Sequence, residues 1–125
     1  ELTGYVEDPR PFVRDAACYV VPLRVGGGTR LKILEAWGMG KAVVSTSIGC
    51  EGLDAVDGEN ILIRDTPETF AEAVRAVLHD PELRGRLGAA ARATAERRYS
   101  WEVIGGPMVR RYLELIPAHK LPQRT

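Results

Sequence analysis

The chain has 125 residues, of which 45% are hydrophobic, enough for one domain with a single buried core. Its 17 basic and 17 acidic side chains balance, which argues against a nucleic-acid partner held by bulk charge and against a polybasic membrane anchor. No apolar run approaches the roughly 18 residues of a membrane span, and no signal-peptide pattern opens the chain. The two cysteines fit a reducing compartment, so we expect a cytoplasmic protein.

The first half of the chain alternates predicted strands and helices, recognised by short apolar runs and by cap residues. In chain order the elements are a strand Leu2–Val6, a helix Pro9–Ala16 capped by Asp8, a strand Cys18–Leu23, a loop Gly26–Gly28, a helix Gly28–Met39, a strand Lys41–Thr46, a loop Ser47–Glu59 and a strand Asn60–Arg64. The nearly continuous apolar character of Cys18–Leu23 is typical of a strand buried on both faces, as in a parallel sheet.

The second half predicts only helices. They are Pro67–Leu78 capped by Thr66, Pro81–Arg97 capped by Asp80, and Trp101–Ile116 capped by Ser100. Gly105-Gly106-Pro107 predicts a kink or a break in the last helix. The predicted fold class is therefore α/β, a Rossmann-like parallel sheet with flanking helices. We assign a domain to residues 1–116 and a loose C-terminal tail to residues 117–125.

The strongest local signal for a ligand is the glycine-rich turn within Pro22–Ala36. Here a buried strand runs into three glycines and then directly into a helix. Glycines let a backbone approach a ligand closely, and the free N–H groups of a helix N-terminus favour an anion such as phosphate. The candidate binding residues around this turn are Arg24, Gly26, Gly27, Gly28, Thr29, Arg30 and Lys32.

Helical spacing adds Glu35 to this candidate site. Gly28, Lys32 and Glu35 fall on one stripe of the predicted helix, and Gly28 and Glu35 are about 10 Å apart along its axis. A nucleoside diphosphate spans that distance, with its phosphates at the glycines and its ribose hydroxyls on the carboxylate. Two alternatives stay open: a turn without any ligand, and a plain surface pair between Glu35 and Lys32. Neither a P-loop nor a dinucleotide fingerprint is present, and no metal site is expected.

Several sequence blocks in one order resemble the C-terminal domain of the retaining glycosyltransferases of family 4 (group 1), which have the GT-B fold. The blocks are LTGYVED (Leu2–Asp8), ACYVVPLR (Ala17–Arg24), GGGTRLKILEAWGMGKAVVSTSIGCEGL (Gly26–Leu53), DGENILIRD (Asp57–Asp65), FAEAVRAVLHDPELRGRLGAAAR (Phe70–Arg92) and YSW (Tyr99–Trp101). The resemblance covers about residues 2–115, and LEA-x-x-x-G-K-A-V-V-S-T is its most specific part. It implies a truncated donor-binding half of a GT-B enzyme, without its first strands.

The resemblance also implies roles for individual residues. The family motif is Glu, seven residues, Glu; its second Glu, which holds the ribose, matches Glu35, whereas its first falls on Gly27. Tyr5, Val6 and Glu7 match the loop near the base, and Gly26, Gly28 and Thr29 match the backbone cradle for the diphosphate and sugar. No catalytic residue is identified. Arg24, Arg30 or Lys32 could take over part of the electrostatic role of the missing Glu, and Arg30 and Lys32 are the catalytic candidates. The family's own basic pair lies earlier than this chain.

The predicted parent protein transfers a sugar of the hexosyl type from a UDP-sugar or GDP-sugar to an acceptor, in glycan or polysaccharide synthesis. We expect no metal or other cofactor, and we expect this chain alone to be inactive without the family's N-terminal domain. The alternative is a non-catalytic half-domain that serves as a binding or assembly module. A peripheral association of the parent with a membrane is left open. Since the first strands are missing, we expect a homodimer through an exposed sheet edge.

Overall fold

A computed structural model of the chain describes residues 2–116. The elements are α1 (Arg10–Asp15), β1 (Tyr19–Val21), α2 (Leu31–Gly38), β2 (Val43–Ser45), β3 (Leu62–Ile63), α3 (Pro67–His79), α4 (Pro81–Tyr99) and α5 (Trp101–Leu115). The predicted tail at residues 117–125 lies outside the described part of the chain.

The strands form one parallel sheet in the order β1-β2-β3. Tyr19 is in register with Val43, and Val44 with Leu62. The predicted α/β class with a parallel sheet and flanking helices is therefore confirmed. Each strand is shorter than its apolar run, because residues at the ends of the runs pass into loops instead of pairing.

Helices cover both faces of the sheet, because neighbouring residues of a strand point to opposite sides. Val43 belongs to a core cluster with Ile33 and Trp37 of α2, all of them fully buried. Val44 points the other way and packs in a second cluster with Val77 of α3. Helix α4 contributes to both clusters and so joins the two halves of the core.

The three long helices that end the described chain begin at the predicted cap residues. The side chains of Thr66, Asp80 and Ser100 accept hydrogen bonds from backbone N–H groups three residues later. These contacts satisfy donors that a helix N-terminus otherwise leaves unpaired. Helix α1 departs slightly from the prediction: it begins at Arg10, and Asp8 accepts from the Arg10 N–H one residue outside the cap position.

Two predictions for the N-terminal part of the chain were wrong, a strand at residues 2–6 and the first residue of α2. Residues 2–6 form no strand, since no strand of the described chain lies beside them to pair with, and Gly4 takes a φ of 65°. Helix α2 begins at Leu31 instead of Gly28. Gly28 has a φ of 86°, which no α-helix allows, so the helix starts only after the glycines.

Of the kink or break that was predicted in the last helix, the break was wrong. Helix α5 continues through Gly105, Gly106 and Pro107. A proline inside a helix removes the hydrogen bond to the carbonyl four residues earlier, here that of Val103. Val103 is exposed, so water can take the place of the missing donor. None of the α5 residues is buried, so the helix lies on the surface of the described fold.

Gly88 of α4 permits the closest backbone approach in this core. A Cβ added at Gly88 would lie 2.2 Å from the carbonyl oxygen of Gly40, which follows α2. Since the neighbouring atom is backbone, it cannot rotate away. The glycine therefore sets how closely α4 packs on the turn that joins α2 to β2.

We expect Gly88→Ala to lower the free energy of unfolding by about 1–3 kcal/mol, because the added methyl forces α4 away from the Gly40 turn. Gly85→Ala is the matched control in the same helix, where an added Cβ meets nothing within 4 Å. The control should raise the free energy by about 0.5–1 kcal/mol, since alanine favours a helix over glycine. Urea denaturation measures both, and equal effects of the two substitutions would contradict this account.

The outer edge of β1 is open in the described structure. Tyr19 donates its N–H to Ala42, and the carbonyl of Val21 accepts from Thr46, so both residues face β2. Because the polar groups of a parallel strand alternate in direction, the N–H and carbonyl of Val20 face outward. An unpaired strand edge is a template for another chain, which keeps the predicted homodimer a specific hypothesis.

We predict that the chain self-associates through this edge and that Val20→Pro abolishes the association. Proline removes the outward N–H but disturbs no hydrogen bond to β2. Val20→Thr keeps the N–H and the branched shape, and should still associate. Light scattering over a range of concentrations tests this, and a monomeric mass of the unmodified chain at high concentration would rule the dimer out.

Candidate functional site

The candidate site lies where the chain leaves β1 and enters α2. Residues 26–28, here called the glycine loop, are exposed between the strand and the helix. The positive φ of Gly28 is a conformation that other residues adopt only with strain. The loop therefore offers backbone groups, with no side chains in front of them, beside the first turn of α2.

Arg30 lies behind this loop and is only 6% exposed. Its Nη1 donates to the carbonyl oxygen of Gly27 at 3.1 Å, and its Nη2 donates to that of Gly26 at 3.3 Å. The same Nη2 is 3.5 Å from Oε2 of Glu51, in the loop that follows β2. Arg30 was predicted as a basic side chain presented to a ligand, whereas the structure places it inside the turn.

Glu35 faces a cleft between α2 and the segment around α1. The cleft has a volume of about 400 Å³, within the range of small-molecule sites. Its walls are formed by Glu7, Asp8, Pro9, Arg10, Val13, Glu35 and Met39. Burial raises the pKa of the neighbouring Tyr19 hydroxyl, and the negative charge of Glu35 raises it further. Glu35 itself is exposed to the cleft.

Arg10 holds Asp8 on the wall of this cleft. Nε of Arg10 lies 2.8 Å from Oδ1 of Asp8, and Nη2 lies 3.0 Å from Oδ2. The hydrogen bonds from the Arg10 side chain and backbone lower the pKa of the Asp8 carboxyl. Because Arg10 occupies Asp8, the exposed carboxylate of Glu7 is the acceptor left on this side of the cleft among the described residues.

The other candidate residues are distributed around the site. Lys32 and Thr29 are exposed beside the glycine loop, and Lys32 forms no ion pair with Glu35 in the described structure. Of the predicted base loop, Glu7 lines the cleft, whereas Val6 and the 94% exposed Tyr5 do not. The chain thus brings Glu35 together with residues 7–10, of which only Glu7 belongs to the predicted base loop.

Arg24 belongs to a second, smaller cleft. Its volume is about 280 Å³, and it lies beyond the carboxyl ends of the three strands, where Arg64 and Asp65 also contribute. Asp65 accepts hydrogen bonds from the N–H and the hydroxyl of Ser47. Arg24 therefore does not line the Glu35 cleft, although the sequence predicts both residues for one site.

The sequence did not predict the close contact between the loops that follow β1 and β2. Thr46 donates its N–H to the Val21 carbonyl, and its hydroxyl accepts from the N–H of Gly49. A Cβ at Gly49 would lie 2.3 Å from the Ser45 hydroxyl and 2.9 Å from the Val21 carbonyl. Only glycine fits there, so the two loops after β1 and β2 are held together at their base.

A family model described as "Glycosyl transferases group 1" matches residues 1–80. The chain belongs to this glycosyltransferase family. The sequence resemblance is thereby confirmed, and the parallel sheet with its flanking helices corresponds to a Rossmann-like half of a GT-B enzyme.

Named relatives agree with the family. The chain is 34% identical over 110 residues to a lipopolysaccharide core biosynthesis glycosyltransferase, LpsE, of Rhizobium meliloti, a match that covers 82% of this chain and 31% of the relative. It is 32% identical over 117 residues to a phosphatidyl-myo-inositol mannosyltransferase of Mycobacterium tuberculosis, covering 87% of this chain and 31% of the relative. The chain thus spans about a third of the length of the relatives it matches.

Within residues 2–116, no group of three or more His, Cys, Asp or Glu side chains is arranged so that it could hold a metal ion. None of the helices described there combines the length and the apolar character needed to cross a membrane.

Gly28→Ala should lower the free energy of unfolding by about 1–2 kcal/mol, because an alanine at positive φ is strained. Gly27→Ala is the matched neighbour, with open space around the added Cβ and no positive φ. It should leave stability unchanged or raise it by up to about 1 kcal/mol, since alanine restricts the unfolded chain. Thermal denaturation compares the two, and a Gly27→Ala variant less stable than Gly28→Ala would contradict the described loop.

Proposed function

We propose that this chain forms the donor site of a glycosyltransferase and binds the nucleotide diphosphate part of a nucleotide sugar. The observation that carries the proposal is the placement of Glu35 on the wall of a cleft, on the same helix that follows the glycine loop. Glu35 comes four residues after the first residue of α2, about 6 Å along the axis. A nucleoside in the cleft would therefore direct its diphosphate toward residues 26–28.

Each part of the nucleotide has a matching group in this arrangement. The carboxylate of Glu35 accepts hydrogen bonds from the ribose hydroxyls, and two oxygens suit two neighbouring hydroxyls. The wall at residues 7–10 would contact the base. The backbone of Gly26, Gly27 and Gly28, with the exposed Thr29 and Lys32, receives the phosphates.

In the proposed reaction the bond from the sugar's anomeric carbon to the diphosphate breaks, and a bond from that carbon to an acceptor hydroxyl oxygen forms. The nucleoside diphosphate leaves, and the hydroxyl gives up its proton. Negative charge then accumulates on the phosphate oxygens, and amide N–H groups and basic side chains aimed at them stabilise it. This electrostatic mechanism uses no metal ion. Lys32 is the exposed candidate for direct contact with the leaving group, whereas Arg24 lines the second cleft. Retention of the sugar's anomeric configuration is part of the proposal.

The parent protein would act on surface glycans. One relative is named for lipopolysaccharide core biosynthesis and another for mannosyl transfer to phosphatidyl-myo-inositol. We propose a transfer of the hexosyl type in glycan or polysaccharide synthesis, with the acceptor held by an N-terminal domain of a longer parent chain. A cytoplasmic location with a peripheral membrane association of the parent fits acceptors of that kind.

A second candidate function is a non-catalytic binding or assembly module. Gly27 stands where the family motif has its first Glu, so one acidic group of the donor site is absent. The Cβ of residue 27 would meet nothing within 4 Å, so the fold leaves room for a side chain there. A module that only kept the fold would bind no nucleotide, whereas the proposed donor site must bind one.

Titration calorimetry with UDP, GDP and ADP distinguishes the two functions. We expect at least one of them to bind and Glu35→Ala to weaken that binding by roughly 10- to 100-fold, since a hydrogen bond to a charged group is lost. Glu35→Gln should weaken it less, because one oxygen acceptor remains.

Glu72→Ala is the control for these variants, because Glu72 is an exposed glutamate on α3 that is not part of the Glu35 cleft. It should bind as the unmodified chain does. Absence of binding by the unmodified chain would overturn the donor-site proposal and favour the module.

A further inference from the structure

The buried arginine of the turn is unusual because its partners are almost all backbone. Arg30 donates to the carbonyls of both Gly26 and Gly27, which have no side chains to hold their conformation. A guanidinium is a planar fork of donors, so it fixes two acceptors in one geometry. Arg30 thus replaces the missing side-chain contacts of the glycine loop.

This pair of hydrogen bonds also determines the direction of the loop amides. In a trans peptide the carbonyl of one residue and the N–H of the next point to opposite sides, and no cis peptide is found in the described chain. With the carbonyls of Gly26 and Gly27 drawn toward Arg30, the N–H groups of Gly27 and Gly28 point away from it. Neither N–H donates a hydrogen bond within residues 2–116.

The charge of Arg30 is incompletely compensated. Its Nε is buried without a hydrogen-bond partner in the described residues. Its one ionic partner among the described residues is Glu51, 3.5 Å away, whose side chain is 75% exposed, so water screens that carboxylate. Burying a cation is costly unless it is paired. An anion bound on the open side of the glycine loop would lower this cost.

We propose that Arg30 is the positioning residue of the donor diphosphate site. It orients the Gly27 and Gly28 amides toward the phosphates through the loop carbonyls, and its charge acts on the phosphates from behind the loop. It touches the loop and not the substrate, so it is distinct from the exposed Lys32. This inference rests on the proposed nucleotide site, because it assigns the phosphate half of the ligand to Arg30 and the nucleoside half to Glu35.

The test compares a nucleoside diphosphate with its monophosphate, using the pairs UDP and UMP, and GDP and GMP. In the unmodified chain the diphosphate should bind more tightly. Arg30→Met and Arg30→Lys should both reduce the ratio of the two affinities by roughly tenfold, while the monophosphate affinity stays within about twofold. Lysine should not restore the ratio, because a single ammonium cannot reproduce the fork that orients both carbonyls.

Arg86→Met is the matched control, since Nη1 of Arg86 also donates to a glycine carbonyl, that of Gly58 at 2.8 Å, in another part of the surface. Its affinity ratio should be unchanged. Glu51→Gln supplies an independent test that leaves the carbonyl contacts in place. Removing that carboxylate leaves Arg30 less compensated, so the ratio should rise.

The outcomes separate this inference from the proposed function. An unchanged ratio in Arg30→Met overturns the inference, and so does a uniform loss of both affinities, which would indicate a merely structural role. Should Arg30→Met fail to fold, the Glu51→Gln ratio decides, and an unchanged or lower ratio overturns the inference. If binding depends on Glu35 but not on Arg30, the donor site stands and only the inference fails. If no nucleotide binds the unmodified chain, the proposed function itself fails.

Discussion

The burial of one face of α2 determines the geometry of the whole candidate site. Ile33, Ala36 and Trp37 are fully buried between the sheet and α4. At 100° per residue this leaves Lys32 and Glu35 on the outward side of the same helix. Because the apolar face cannot rotate without exposing Trp37, the carboxylate of Glu35 is held toward the cleft. The fold therefore fixes the direction of a polar group by fixing the apolar groups behind it.

The N-terminal end of α2 depends on a second constraint, the close contact between two loops. Gly49 allows the loop after β2 to reach the end of β1, with no room for a Cβ. That loop carries Glu51 to the buried guanidinium of Arg30. The glycine loop in front of Arg30 is thus supported from behind by packing, hydrogen bonds and charge, which suits a backbone cradle for an anion.

Local signals in the sequence predicted much of the fold. The caps at Thr66, Asp80 and Ser100 depend on residues only three positions apart, so the sequence contains all the information that the contact needs. The strand expected at residues 2–6 depends on a partner strand, and apolar character alone could not supply one. The late start of α2 depends on the φ of Gly28, a choice that glycine leaves open.

In the candidate site, too, some features follow from local sequence and others depend on residues that are distant in sequence. Glu35 could be selected from helical spacing, and the structure places it on a cleft. The burial of Arg30 could not be predicted, because a basic residue beside three glycines suggests an exposed side chain that binds phosphate. Its burial depends on Glu51 and on loop carbonyls that close around it in three dimensions. The position of Arg24 in a second cleft could not be predicted either, because that cleft is completed by residues after β3, which is distant in sequence.

In the proposed donor site, one nucleotide bridges the Glu35 cleft and the amides of the glycine loop. The most direct measurement is a nuclear magnetic resonance titration of the ¹⁵N-labelled chain with GDP and with UDP. The amide signals of Gly27 and Gly28 should shift together with those of Glu35 and of the non-proline residues in 7–13. Shifts confined to the cleft around Arg24, Arg64 and Asp65, or no shifts at all, would contradict it.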